Sequence, residues 1–322
     1  MGKKQLTYTP LRLVDEYSRA IREFEKARAL RTIGGAEDEV GAAVEFAVPR
    51  IYERNGIKGR KPTKAEEDLL VYQIYDYAIA TVIASYWSKC KQVYTFSRDF
   101  YEMLLDMDDF DIGWSLFDYL PYEAFYLELK EHKEIDGVLV KYTKGPRPSI
   151  LYTICGKKGR LLNINSGIVD PRDNISYKSF FETEVFCSKA DMSAPYVVLV
   201  RQVLAFTLQA CMYLCAKNAD IEENPLQKKI YTPSKTIRNR FSEIRKWDVG
   251  VRVVREHKAA QDLSTETSDA PDVFRRRPRQ HWRKAHWHTY WVGKGRAKRE
   301  LKFIAPVLVN DNGDEMPVIV HE

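Results

Sequence analysis

The segment that most constrains this fold is the helix that opens at Thr63. Thr63 and Glu66 stand three residues apart, the signature of a capping box, and helical spacing then runs to about Cys90. Leu70, Ile74, Tyr77, Ala78, Val82, Ile83 and Tyr86 lie round much of its surface rather than along one stripe. A helix that is apolar on several faces has to be surrounded. It is therefore expected to be the central helix of the N-terminal half, with neighbouring segments as its cover. Residues 10–30 read as one amphipathic helix, carrying Leu13, Tyr17, Ala20, Ile21, Phe24 and Ala27 at three- and four-residue steps, with Gly34-Gly35 ending it. A second helix, about Glu37 to Arg54, carries Val40, Val44, Val48 and Ile51, and Pro49 is placed to kink or shorten it. Shorter helices are expected at 96–107 and 121–132.

After Asp136-Gly137 the period changes. Val138–Val140, Ile150–Ile154 and Leu161–Ile164 are short β-rich runs separated by Gly and Pro, as in a small antiparallel sheet. Residues 195–217 return to helix, apolar on several faces. A polar connection follows at 218–235, then a short basic helix about Pro233 to Trp247 and a strand at Val249–Val254. Residues 257–272, rich in Ser, Thr, Asp and Ala, read as a linker. The fold class is α+β: a mainly helical N-terminal half, a small antiparallel β-sheet in the middle and a C-terminal basic β-hairpin. The regions are 1–135 (helical), 136–256 (α+β), 257–272 (linker) and 273–322 (basic, His/Trp-rich). No run of eighteen apolar residues is present, so no membrane span is expected. The N-terminus lacks a signal-peptide stretch, and the five scattered Cys fit buried, reduced thiols, which points to the cytoplasm.

Charge is unevenly distributed. Val273 to Arg299 holds ten Lys or Arg, three His, three Trp and no acid; without those ten cations the chain's net +6 becomes −4. Within this run His286–Val292 and Arg299–Val309 read as the strands of a hairpin about Gly293-Lys294-Gly295, with Pro306 demoting the end of the second strand to an edge. Alternation puts His286, His288 and Tyr290 on one face and Trp287, Thr289 and Trp291 on the other. The Trp face is expected in the core and the His face in solvent. Arg275, Arg276, Arg277, Arg279, Arg283, Lys284, Lys294 and Arg296 would neutralise phosphates, while His281 and Trp282 could stack on unpaired bases, so the segment suits nucleic acid or a ribosome. A second reading is intramolecular. Residues 106–136 carry ten acids against two Lys, and the +10 segment could answer this −8 patch of the same chain. That acidic stretch, with Asp108, Asp109, Asp111, Trp114 and Tyr119, also suits a basic, amphipathic peptide.

Signs of enzymatic chemistry are weak. GxxxxGK[ST], GxSxG, HExxH and CxxC are all absent, and Gly156-Lys157-Lys158-Gly159 is a basic turn. His281, His286 and His288 have no Cys or carboxylate at ligand spacing, so no metal site is assigned, and no cofactor is expected. A ribonuclease would use His286 or His288 as general base, with Arg283 or Lys284 on the phosphate.

The run His281 to Asn310, HWRKAHWHTYWVGKGRAKRELKFIAPVLVN, resembles a signature of the large type V-A anti-CRISPR family carried by phages and plasmids. Chain length and the helical N-terminal region are similar too. The resemblance implies an inhibitor of a type V-A CRISPR effector nuclease, acting in the host cytoplasm. It would recognise the effector's nascent N-terminal peptide during translation, with loss of effector mRNA and protein. The implied partners are that peptide and, besides it, the ribosome, mRNA or a host ribonuclease. Alternatives are an RNA-binding protein, a histidine- or metal-dependent ribonuclease, and a steric inhibitor of the effector–guide complex.

Overall fold

Thr63 caps the long helix as its sequence requires. The Thr63 hydroxyl accepts from the Glu66 amide at 3.3 Å, and the Glu66 carboxylate accepts from the Thr63 amide at 2.8 Å. Arg60 grips the same carboxylate at 2.7 and 2.8 Å, and it and Thr63 pull the Glu66 pKa down to about 2. The structure, a computed structural model, describes residues 8–30, 36–57, 59–107, 114–145, 148–157, 163–169, 195–224, 243–266 and 281–309. In it α1 (Thr9–Glu16), α2 (Ser18–Leu30) and α3 (Ala36–Arg54) wrap α4 (Lys64–Cys90). Ala78, Val82, Ile83, Ala84 and Trp87 of α4 are fully buried, so the all-round apolar surface has its explanation. The single helix expected at 10–30 is two, broken at Tyr17, whose ring lies 4.7 Å from that of Tyr77. Pro49 sits inside α3 without ending it.

The sheet is larger than expected and mixed. Seven strands run in the order β5-β4-β3-β2-β1-β7-β6. They are β1 (Gln92–Phe96), β2 (Ala124–Leu129), β3 (Ile135–Thr143), β4 (Ser149–Gly156), β5 (Asn163–Val169), β6 (Ile221–Glu223) and β7 (Arg245–Val249). β1 pairs in parallel with both β2 and β7, and the other neighbours are antiparallel. The expected helix at 121–132 is therefore corrected to strand β2. AFYLEL is buried at nearly every position because helices cover both faces of the sheet there. Such a two-sided strand shows neither a helical nor an alternating period. Of the expected basic helix at Pro233–Trp247, residues 245–247 belong to strand β7 and 233–242 lie outside the described residues; the expected strand at Val249–Val254 is mostly helix, the start of Val251–Glu266. Gly250 makes the turn between that strand and this helix. Its φ is +71°, and a Cβ there would lie 2.6 Å from the Phe100 ring.

Alternation along the strands divides the core into two layers. Val93, Ala124, Tyr126, Leu139, Leu151 and Cys155 point to the layer of α1–α4. Tyr94, Phe125, Leu127, Val138, Val140 and Ile154 point to the other, which holds α5 (Arg98–Leu105), a 3-10 turn (Trp114–Tyr119) and α6 (Pro195–Cys215). α6 is the one described helix long and apolar enough to cross a membrane, over Val197–Cys215, and 72% of that stretch is buried as the core of this second layer. Helix α7 (Val251–Glu266) follows β7, so residues 257–266, expected to begin a linker, are helical; 267–272 lie outside the described residues. Cys155 and Cys211 are buried and Cys90 and Cys215 half-buried, all as free thiols; burial pushes Cys215 up to about 12. Cys187 lies outside the described residues.

The C-terminal hairpin forms as expected. β9 (His286–Val292) pairs antiparallel with β10 (Lys298–Ile304), joined by a 3-10 turn flanked by Gly293 at φ +83°. Beyond breaks at Lys284-Ala285 and Ala305-Pro306, β8 (His281–Arg283) pairs with β11 (Val307–Val309). The ribbon lies on the second layer. Leu301, Phe303 and Ala285 belong to its core.

Candidate functional site

The hairpin is anchored at its base and exposed at its tip. Trp287 and Phe303 face each other across the register, with ring centroids 5.4 Å apart. Phe303 also meets Tyr213 at 5.1 Å and Phe100 at 6.0 Å, both edge-on. The Trp287 indole donates to the Gln209 side-chain oxygen (Oε1) of α6 at 2.6 Å. Asn218, just past α6, acts as a strand for β10: its amide donates to the Phe303 carbonyl at 2.8 Å and accepts from the Phe303 N–H at 2.9 Å. The tip differs. Trp291 is 60% exposed and Tyr290 38%, and Lys294, Arg296 and Lys298 lie in solvent.

The expected Trp face is thus core at Trp287 and solvent at Trp291. On the opposite face His288 is exposed, its ring 4.2 Å from that of Tyr290, and Lys302 sits 5.0 Å over the Tyr290 ring. His286 is half-buried, with Nδ1 3.3 Å from the Lys284 carbonyl. Trp282 packs edge-on to His257 of α7 at 4.9 Å, Arg283 is exposed, and His281 occupies the first position of β8. Among the described residues no group of three or more His, Cys, Asp or Glu is gathered as for a metal ion. Arg275, Arg276, Arg277 and Arg279 lie outside the described residues, as do Asp108, Asp109 and Asp111.

Basic and acidic segments do meet within the chain. Lys284 Nζ lies 2.7 Å from the Asp106 carboxylate, and Lys298 Nζ sits 5.5 Å over the Tyr119 ring. Tyr119 is 53% exposed; Trp114 is half-buried against Phe117 at 5.4 Å. Of the other described aromatics in the acidic stretch, Phe117, Phe125 and Tyr126 are core and Tyr122 is half-buried.

Directly after Tyr119 the chain enters a cleft of about 510 Å³ that sequence reasoning missed. Leu120, Pro121, Tyr122 and Glu123 form one wall, and Arg28, Glu39, Tyr86 and Lys141 form the floor. Lys141, only 1% exposed, lies 2.9 Å from Glu39 and 3.6 Å from Glu123, and donates to Thr143 at 2.8 Å. Its ammonium is 4.3 Å from the Tyr86 ring centroid, and the Arg28 guanidinium is 4.5 Å from it. The Tyr86 hydroxyl donates to Glu39, and burial together with that carboxylate raises the tyrosine's pKa. This charged floor is fixed by its own ion pairs, while Glu123 and Lys144 stay exposed at the mouth. A clue was present in the sequence. Lys141 interrupts the apolar run VLVKYT of β3 at a position that alternation turns toward the N-terminal helices, where Leu139 also points.

The AcrVA2-like family, described as the anti-CRISPR type V subtype A2 family, matches residues 94–311. That range begins in β1 and ends just past β11, so it holds the sheet, the second layer and the hairpin. No curated protein matches the chain. The fold is similar to a solved structure described as the crystal structure of AcrVA2, with a TM-score of 0.53 and 15% identity, over 94% of this chain and 97% of that one. With more than half of its length matched, the chain belongs to the anti-CRISPR type V subtype A2 family.

Proposed function

We propose that this protein suppresses a type V-A CRISPR effector nuclease by recognising the effector's N-terminal peptide as it is translated, with loss of effector mRNA and protein. The family makes the protein an anti-CRISPR directed at type V-A, and its target a CRISPR effector. The observation that supports the finer reading is the cleft beyond Tyr119. It is open to solvent, walled by Tyr122 and Pro121, and carries both signs of charge on a floor that is already ordered. A nascent segment is extended and pays ordering entropy on binding, so a preorganised receptor limits the cost to one partner. Glu123 at the mouth offers a carboxylate to a basic side chain of the peptide. In this reading the protein acts in the host cytoplasm as an adaptor, not as the nuclease.

The test is recoding. Synonymous replacement of the effector's first codons leaves suppression intact, whereas frameshifting the same codons abolishes it. Relief by synonymous recoding alone would make RNA sequence the determinant and overturn the reading. Glu123→Gln is expected to weaken binding of a synthetic N-terminal peptide several-fold, measured by calorimetry, while thermal melting reads separately the loss of its 3.6 Å pair with Lys141. Unchanged affinity would move the peptide off this cleft.

A further inference from the structure

The tip of the C-terminal hairpin has a chemistry that the peptide reading does not use. We propose that it is a binding site for single-stranded RNA, with Trp291 as the stacking platform and Arg299, Lys294 and Arg296 as phosphate ligands. That the nucleic acid is RNA rests on the proposed action during translation; the rest stands on the hairpin alone.

Three observations carry it. First, Trp291 is 60% exposed although it shares a strand face with Trp287, which is docked on α6. The ribbon runs past the edge of the core and presents its last indole to solvent. Second, Arg299 is the register partner of Trp291, so a guanidinium stands beside the ring on the same face, held by a 3.4 Å bond to Thr289. A ring for one base next to a cation for the adjoining phosphate is the arrangement by which single strands are bound without sequence preference. Third, the turn is one-signed. From Gly293 to Arg299 there is no acid, and Lys294 and Arg296 form no ion pair among the described residues. The next acid, Glu300, is held by Lys217 at 3.2 Å and Lys298 at 3.4 Å; it takes up Lys298 and leaves Lys294, Arg296 and Arg299 to set the field of the tip.

Other occupants fit less well. A membrane-inserting hairpin needs bulky apolar residues at its turn, and this turn reads Gly-Lys-Gly-Arg-Ala. A duplex offers phosphates but keeps its bases stacked, so it would leave Trp291 idle.

The experiment uses the full purified chain and a fluorescein-labelled, unstructured 15-nucleotide RNA, read by anisotropy across a salt series. Wild type is expected to bind. Trp291→Ala should weaken binding about tenfold and Trp291→Phe should recover most of that loss. The double change Lys294→Ser, Arg296→Ser should lower the slope of log affinity against log salt by roughly 1 to 2. Thermal melting checks that each variant is folded. The proposal is overturned if wild type does not bind, if Trp291→Ala binds as wild type does, or if the same-sequence duplex or DNA strand binds better. Capture by phosphatidylglycerol vesicles without RNA binding overturns it too. Because no effector is present, this result is independent of the recoding test: loss of RNA binding with recoding-resistant suppression removes only the RNA site. RNA binding with suppression relieved by synonymous recoding removes only the peptide reading.

Discussion

Trp287 and Trp291 occupy the same face of the same strand, four residues apart, and meet opposite fates. The first is pinned between Phe303, Tyr213 and Gln209; the second stands in solvent. The cations beside them divide in the same way. Lys284 at the base pairs with Asp106, whereas Lys294 and Arg296 at the tip form no ion pair among the described residues. The difference teaches that a strand's alternation sets which side a residue faces, while the extent of the neighbouring layer sets whether that side is covered. Here the covering layer ends near Leu301.

This contrast can be broken at the base. Phe303→Ala removes a fully packed ring shared by α5, α6 and the hairpin, and is expected to cost about 3–5 kcal/mol in denaturant unfolding. A loss below about 1 kcal/mol would mean that the hairpin is not anchored there. Asn218→Ala should cost less, about 1–2 kcal/mol, because it opens both hydrogen bonds to Phe303 but leaves the ring in place. Hydrogen exchange should show β10 amides losing protection before those of the central sheet. The same change at the tip should be silent: Trp291→Ser is expected to shift stability within about 0.5 kcal/mol, and a larger loss would mean that the ring is buried. The smallest effect concerns pH. Burial lowers the His257 pKa below its ordinary value, so the unfolded chain binds the proton more readily. Stability at the base should therefore fall as pH drops below about 6.5. His132 is shifted the same way by burial, so the test is a difference. His257→Gln should show a shallower loss of melting temperature between pH 7.5 and 5.5 than wild type, and equal slopes would exclude His257 from the anchor.

Much of the helical half was legible in the sequence because its signals are local. The capping box and the all-round apolar surface of α4 need no partner to be read. The hairpin was legible for a similar reason: period two and a glycine turn sit within about twenty residues. β2 and β7 were not, because each owes its strand state to β1. Ala124–Leu129 is apolar on both sides, and Arg245–Val249 is polar enough to pass for a basic helix. The anchoring role of Trp282 and Lys284 was legible only as one of two options, since the residues they meet, His257 and Asp106, lie about 25 and 178 positions away. The cleft escaped for the strongest form of this reason. Its floor is assembled from α2, α3, α4 and β3, and no window of sequence contains two of its charges side by side.

The parallel pairing at the centre of the sheet has a consequence for how the molecule comes into being. β1 ends at Phe96, yet the strand on its far side begins at Arg245. Until that stretch has left the ribosome, β1 has one bare edge, and the closure it awaits spans about 150 residues, a slow, non-local step. The first half of the chain can gather its helices early, but it cannot finish its own sheet. A product truncated before β7 would carry an open strand flanked by apolar residues, and aggregation rather than partial activity is its expected fate. An inhibitor proposed to catch another protein while it is still being made cannot close its own sheet until β7 has been made.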